Sequence, residues 1–150
     1  MSDFVSASHV FFDCPATTVD EALAYLAGKA VELDAADDVA ALTDALKARE
    51  AEGTTGMMGG FAIPHAKSAA VKEATVVVAV FSQGIEWNSM DGEPIKVAIC
   101  LLSPEGAAAE HLKTLSRVAV LLMDPAFRTK VLDATDGVSI VEAISEGLAK

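Results

Sequence analysis

The chain has 150 residues, the length of one domain, and 52% of them are apolar, which excludes intrinsic disorder and is enough for a core. Its net charge is −11, from 22 acidic and 11 basic residues without a basic cluster, which argues against binding nucleic acid or an anionic membrane. The apolar segments are far shorter than a membrane span, and the amino terminus lacks a signal-peptide pattern. We therefore expect a soluble, cytoplasmic protein.

The first third of the chain predicts two helices and a loop. Thr18 and Glu21 stand at the spacing of a capping box, and the apolar residues that follow repeat at helical spacing. A second helix with the same periodicity is predicted to end near Arg49. Segment 53–60 contains four glycines, which would destabilise a helix or a strand, so a loop is predicted there.

Strands are predicted in the middle of the chain. Residues 61–63 should be extended, because Pro64 disfavours the helical conformation in the residue before it. The apolar runs 76–81 and 95–102 predict strands of a sheet that is covered on both faces. Turns at Gln83-Gly84 and Asp91-Gly92 would form an edge hairpin that carries Trp87. Cys100, within the second run, is predicted to be a core residue rather than a metal or redox ligand.

Three helices are predicted near 107–123, 126–133 and 139–148. Asp124-Pro125 ends the first, and Ser139 with Glu142 opens the last at capping-box spacing. The first of these helices should bury the face formed by Leu112, Leu115, Ala119 and Leu122. The expected fold is therefore a single α/β domain over residues 1–150, with a mixed, largely parallel β-sheet flanked by helices on both faces.

Histidine is the residue type that can carry chemistry in this chain, because nucleotide-binding and hydrolase motifs are missing from the sequence. His65 is predicted to lie in a glycine-flanked loop at the end of a strand, where backbone N–H groups can point at an anion. His111 falls in the first turn of a predicted helix, where the helix dipole favours negative charge. The third histidine, His9, belongs to no motif.

This placement suits a phosphoryl group carried on an imidazole. One ring nitrogen would accept the group while the other is held as N–H, and donors would surround the transferred oxygens. The amides of 53–60, those near His111 and the guanidinium of Arg49 could supply such donors. From the residues alone, the alternatives are a loop histidine without a function, a surface His111 and a solvated Arg49 at a helix end.

Two segments resemble the signatures of a known family. Residues 48–68, AREAEGTTGMMGGFAIPHAKS, look like the active-site signature of the enzyme IIA (EIIA) domains of the fructose/mannitol class of the bacterial sugar phosphotransferase system. Residues 91–134, with a strand, a P-E-G loop and an E-H-L-K-x-L helix, are similar to the second signature of that family. The chain departs from the family at Met58 and Ala66, where the family usually has glycine.

The resemblance implies a phosphoryl relay on a mixed α/β fold. By analogy, His65 accepts the phosphoryl group on Nε2 from the phosphorylated carrier HPr and passes it to an enzyme IIB domain. His111 and Arg49 would stabilise the group. The resemblance implies neither a cofactor nor a metal, because the covalent phosphate is the cargo. The loop that would cradle the group consists of Thr54, Thr55, Gly56, Gly59 and Gly60.

Docking and biological role are less tightly specified. Met57, Met58 and Phe61 are predicted to form an apolar docking patch beside His65, unless the methionines are buried in the core. The motif is common to sugar-transport EIIA domains and to a nitrogen-related regulatory branch, so both roles stay open. A metal-dependent hydrolase that uses His65 and His111 would require a third ligand, which no spacing in the sequence identifies.

Overall fold

A five-stranded sheet forms the centre of the protein, whose structure is a computed structural model that describes residues 6–149. The strands are β1 (Val10–Cys14), β2 (Phe61–Ala62), β3 (His65–Lys67), β4 (Thr75–Ile85) and β5 (Ile95–Ser103). The helices are α1 (Val19–Glu32), α2 (Val39–Glu52), α3 (Ala108–Leu122), α4 (Pro125–Asp133) and α5 (Gly137–Ala149). Short 3-10 turns precede β1 and α3, at Ala7–His9 and Glu105–Ala107.

The sheet has the order β1-β4-β5-β2, and β3 follows β2 along the same side of β5, where it pairs with the carboxyl-terminal residues of that strand. The pairs β1·β4, β2·β5 and β3·β5 are parallel, whereas β4 and β5 are antiparallel. Helices α1 and α2 pack on one face, and α3, α4 and α5 cover the other. This confirms the predicted α/β class, with a mixed, mostly parallel sheet and helices on both faces.

Alternation along β4 and β5 explains their continuous apolar sequences. Val77 and Cys100 point towards α1 and α2, whereas Val76 and Ile99 point towards the other three helices. Each strand therefore needs apolar side chains on both faces. Burial also raises the pKa of the Cys100 thiol, in keeping with the predicted core role.

The helix starts follow their capping residues. The Thr18 hydroxyl accepts a hydrogen bond from the Glu21 amide at 3.1 Å, which confirms one half of the predicted capping box. The Glu21 carboxylate accepts from the Thr17 amide at 2.8 Å rather than from the Thr18 amide. The predicted start of the last helix was wrong, because α5 begins at Gly137, before Ser139. The carboxylate of Asp136 accepts from the Ser139 amide at 2.8 Å and so satisfies an amide of the first turn.

Two further predictions are corrected by the structure. Gln83-Gly84 is not a turn, since β4 continues to Ile85, and the β4–β5 hairpin lies in the middle of the sheet rather than at its edge. The register shifts between Val80 and Ile85, and there Gly84 allows close approach, because a Cβ would lie 2.8 Å from Pro94 Cβ. Trp87, which follows this strand, is buried.

Leu112 was predicted to face the core but is 63% exposed. The buried face of α3 is formed by His111, Val118 and Leu122, with Leu115 partly buried beside them. These positions follow the helical i, i+4, i+7, i+11 pattern, so a histidine occupies a core-facing position and the next residue points outwards. Within residues 6–149, no helix is long and apolar enough to cross a membrane.

Two helical glycines should respond oppositely to substitution. A Cβ on Gly28 in α1 would have no heavy atom within 4 Å, so Gly28→Ala should raise the free energy of unfolding by about 0.5–1 kcal/mol. A Cβ on Gly147 in α5 would overlap the Leu121 side chain, so Gly147→Ala should lower it by about 1 kcal/mol or more. Urea unfolding measures both, and equal effects would contradict the packing of α5 on α3.

Candidate functional site

His65 is the first residue of β3, not a loop residue as predicted from the sequence. Strand β3 pairs with β5 at the side of the sheet away from β4, with His65 opposite Leu101. Leu101 points towards the α3–α5 layer, and paired residues share a face of the sheet, so the imidazole lies on that side. The sheet thus directs His65 towards the amino-terminal turns of α3.

The hydrogen bonds of His65 define its tautomer. Nδ1 lies 2.8 Å from the carbonyl oxygen of Ile63, which can only accept, so Nδ1 carries the proton. Nε2 accepts a hydrogen bond of 2.9 Å from Nε of Arg49. Both contacts require the same assignment, in which Nε2 has the free electron pair. This is the nitrogen on which a group can be accepted.

Arg49 reaches His65 from the last turn of α2. Its Nη1 donates to the Gly53 carbonyl oxygen at 2.8 Å, where the chain leaves the helix. The guanidinium is therefore held at its two ends, by the helix terminus and by the imidazole. It is a fixed cation beside Nε2, whereas the sequence left open a solvated side chain.

His111 completes the group from α3. Its ring centroid lies 5.8 Å from that of His65, with 49° between the ring planes. The residue is buried, and its Nε2 is a buried side-chain atom without a hydrogen-bond partner among the described residues. A buried polar atom without a partner is costly, so an unpaired imidazole at this position is available to a ligand oxygen. The structure thus brings together the three side chains that the sequence singled out.

Both imidazoles are neutral at neutral pH. Burial lowers the pKa of His65, and the Arg49 cation adds to this effect, while the Ile63 carbonyl opposes it. Burial lowers the pKa of His111 to about 4, with smaller contributions from His65 and Lys67. Two protonated rings at this separation would repel each other, so the site favours an anion held by neutral donors and one guanidinium.

The predicted amide cradle is corrected in part, at three of its five residues. The amides of Thr55, Gly56 and Gly59 donate to the side chains of Glu50, Thr54 and Asp91, at 2.7, 3.0 and 2.9 Å. These three amides are therefore not free donors for a phosphoryl group. Acidic and hydroxyl side chains compete for them, and nothing in the glycine spacing of the loop could indicate this.

The two departures from the family pattern do not strain the backbone. The positive φ angles of the loop are at Gly59 (70°) and Gly60 (88°), and neither Met58 nor Ala66 has a positive φ. An L-residue is therefore tolerated at both positions. The loop obtains its left-handed turns from the last two glycines.

The predicted docking patch is corrected in part. Phe61 pairs opposite Val97 within the sheet, and its side chain cannot contact a partner because it is fully buried under the α3–α5 layer. Met57 and Met58 are both half-buried, and Met57 packs against the same layer. The exposed apolar residues near the site are Leu112, adjacent to His111, and Met90, which is 64% exposed. The Met90 amide donates to the Met57 carbonyl oxygen at 3.2 Å, which places it beside the loop.

Sequence reasoning missed both residues. Leu112 could have been found by continuing the helical pattern through His111 instead of through the leucine. Met90 lies between the two predicted turns, where no periodicity reveals exposure.

Other ligands find less support in the geometry. Within residues 6–149, no three His, Cys, Asp or Glu side chains are arranged to hold a metal ion. A cavity of about 590 Å³ between α3, α5 and the ends of β4 and β5 is lined by His111 but not by His65 or Arg49. The cavity therefore adjoins the site at His111 but does not include the His65 imidazole or the Arg49 guanidinium.

Comparison with known proteins gives the family. The sequence profile described as "Phosphoenolpyruvate-dependent sugar phosphotransferase system, EIIA 2" matches residues 3–147. The chain belongs to this EIIA family. EIIA domains are phosphotransfer components and pass phosphate to EIIB domains.

Relatives of two kinds resemble this EIIA domain. It is 36% identical over 132 residues to the PTS system fructose-specific EIIA component of Haloferax volcanii, covering 88% of this chain and 86% of the relative. It is 34% identical over 145 residues to the nitrogen regulatory protein of Bradyrhizobium diazoefficiens, covering 97% and 94%. The structure of nitrogen regulatory protein IIA-Ntr from Neisseria meningitidis has a TM-score of 0.87 at 26% identity, covering 95% and 97%.

The neutral state of His111 should make the stability of this EIIA domain depend on pH. The pKa of His111 is about 4 in the folded chain against an ordinary value of 6.5, so the unfolded chain binds more protons between these values. The stabilisation is fully present above about pH 6.5 and is lost as the pH falls towards 4. Urea unfolding at pH 7 and pH 5 should show a larger loss in the wild type than in His111→Gln. Equal losses in the two proteins would show that His111 titrates normally.

Proposed function

We propose that this EIIA domain is a phosphocarrier. Nε2 of His65 accepts a phosphoryl group from phosphorylated HPr and passes it to an enzyme IIB domain during uptake of a sugar of the fructose/mannitol class. The observation that carries the proposal is the hydrogen bond from Nδ1 to the Ile63 carbonyl oxygen, because it leaves the electron pair on Nε2. The fructose-specific relative, at 36% identity, supports the sugar branch.

The transfer step follows from these contacts. The Nε2 electron pair forms the new N–P bond, and the donor imidazole leaves with the electron pair of the bond that breaks. Positive charge then develops on the His65 ring, and the Nδ1–H bond to Ile63 stabilises it. Nε2 cannot bind phosphorus and accept from Arg49 at the same time, so the Arg49 donor moves to a phosphoryl oxygen. His111, as the Nε2–H tautomer, donates to a second oxygen.

A regulatory role is the second candidate. The nitrogen regulatory relative matches 97% of this chain, which is more than the fructose-specific relative matches. The chemistry at His65 is the same in both roles, but in the regulatory role a target protein reads the phosphorylation state. Adding an EIIB domain to the phosphorylated protein separates the two, since only the transport role requires rapid loss of the phosphoryl group to it.

His65 should be the residue that is phosphorylated. Incubation with phosphoenolpyruvate, enzyme I and HPr should give an acid-labile, alkali-stable label on the wild type and none on His65→Ala. His111→Ala and Arg49→Ala should still be labelled, at a rate lower by about 10²-fold, because each removes one donor to the phosphoryl oxygens. Label that persists in His65→Ala, or is found on His111, would refute the assignment.

Partner docking should involve the exposed apolar side chains beside the site. Replacing both Met90 and Leu112 by Ser should raise the KM for phosphorylated HPr with little change in kcat or melting temperature, because both are exposed. Val120→Ser is the matched control, since Val120 is 67% exposed on the same helix, about 12 Å further along it. An equal rise in KM for the control would place the docking surface elsewhere.

A further inference from the structure

Glu50 is a partly buried carboxylate that the transfer step does not use. Its Oε2 accepts from the Thr55 amide at 2.7 Å and from the Trp87 indole Nε1 at 3.1 Å, and its Oε1 accepts from the Thr55 hydroxyl at 2.6 Å. Glu50 follows Arg49 in the last turn of α2, and its carboxylate accepts hydrogen bonds from Thr55 and Trp87 rather than from His65. Three neutral donors thus converge on one carboxylate, which lies at the end of α2 next to Arg49.

One path leads from Glu50 to Nε2 of His65. Glu50 holds Thr55, and its own carbonyl oxygen accepts from the Gly53 amide at 3.2 Å, so the turn that leaves α2 is fixed at both ends. The Gly53 carbonyl oxygen accepts from Arg49 Nη1 at 2.8 Å. With its outer end held in this way, Arg49 presents Nε to Nε2 of His65 at 2.9 Å.

A second path leads from Glu50 to Nδ1 of the same ring. The Thr55 carbonyl oxygen accepts from the Ile63 amide at 3.0 Å. The carbonyl oxygen of Ile63 then accepts from His65 Nδ1 at 2.8 Å. The position of Thr55 therefore affects the acceptor that determines the tautomer, and Glu50 holds Thr55 by both its amide and its hydroxyl.

We infer that Glu50 is the positioning residue of this site, which sets both hydrogen bonds of the His65 imidazole through the Gly53–Thr55 turn. The inference rests on the proposed phosphocarrier function for its consequence in rate, but not for its consequence in the structure of the ring. Trp87 provides the third donor. Gly56 packs closely against its indole, since a Cβ added at Gly56 would lie 3.0 Å from Trp87 Cδ1, and this contact holds the turn against the ring. In this inference the positioning comes from the hydrogen bonds to the carboxylate, whereas the Glu50 charge acts separately by opposing the lowered pKa of His65.

The test compares three variants. Glu50→Ala removes all three bonds. Glu50→Gln removes the charge, but its amide oxygen can accept from the Thr55 amide and the indole while its NH₂ donates to the Thr55 hydroxyl. Glu52→Ala is the matched control, because Glu52 is an exposed glutamate at the end of the same helix.

Nitrogen-15 shifts of the His65 ring give a readout that needs no phosphoryl transfer. The wild type, Glu50→Gln and Glu52→Ala should show the Nδ1–H tautomer, whereas Glu50→Ala should show a mixture of the two tautomers. In the transfer assay, Glu50→Ala should lower kcat by about 10-fold to 10²-fold with little change in KM for HPr, and Glu50→Gln should restore most of it.

The inference is overturned if Glu50→Ala keeps a single Nδ1–H tautomer, whatever happens to the rate. It is also overturned if Glu50→Gln loses as much as Glu50→Ala, because the charge would then be responsible. If Glu50→Ala fails to fold, Thr55→Val, which removes one of the three bonds, should show a smaller shift in the same direction, and no shift overturns the inference. A wild type that is never phosphorylated refutes the proposed function, while the ring shifts still decide the role of Glu50.

Discussion

The hydrogen bond between His65 Nδ1 and the Ile63 carbonyl oxygen depends on the interruption of the sheet at Pro64. Strand β2 pairs with β5 at Val97 and Ala98, and pairing resumes in β3 at Leu101, so residues 63 and 64 lie between two ladders. The Pro64 carbonyl oxygen still accepts from the Leu101 amide at 3.0 Å, which keeps the chain against β5. The Ile63 carbonyl is outside both ladders and therefore can accept from the imidazole two residues later. A proline in mid-strand would be a defect elsewhere, but here it provides the acceptor.

The position of β3 also explains why residues from opposite layers meet at one ring. Arg49 belongs to α2, which packs on one face, and His111 belongs to α3, which packs on the other. Strand β3 has three residues and is an edge strand that pairs with β5, so side chains from both layers can reach its first residue. The two layers contribute different groups, a permanent cation from one and a neutral imidazole from the other. In the middle of the sheet, the strand backbone would separate them.

Periodicity predicted the fold well because most elements bury one regular face. The cap at Thr18, the two long strands and all five helices were predicted from local patterns, in which the residues lie within a few positions of each other in the sequence. The misassigned parts depend on contacts distant in sequence. Gly84 continues β4 where Pro94 packs closely against it, and the Gly59 amide donates to Asp91, 32 positions away. His65, Arg49 and His111 were singled out from their placement in the sequence, and the family resemblance gave them roles. Glu50 acts through Trp87 and Thr55, which no spacing in the sequence joins.

The transport role and the regulatory role use the same chemistry at His65, so they must differ in the surfaces that partners contact. A transport relay and a phosphorylation sensor both need a neutral His65 with an electron pair on Nε2, and both need a donor that can move to the phosphoryl oxygens. Relatives of both kinds match this chain over most of its length, so overall similarity does not distinguish the two roles. A relay must release each partner quickly and therefore uses a small contact, while a sensor requires a surface that changes with phosphorylation. We therefore expect exposed residues next to the buried site to separate the two roles, and Leu112 next to His111 and Met90 beside Met57 have that geometry.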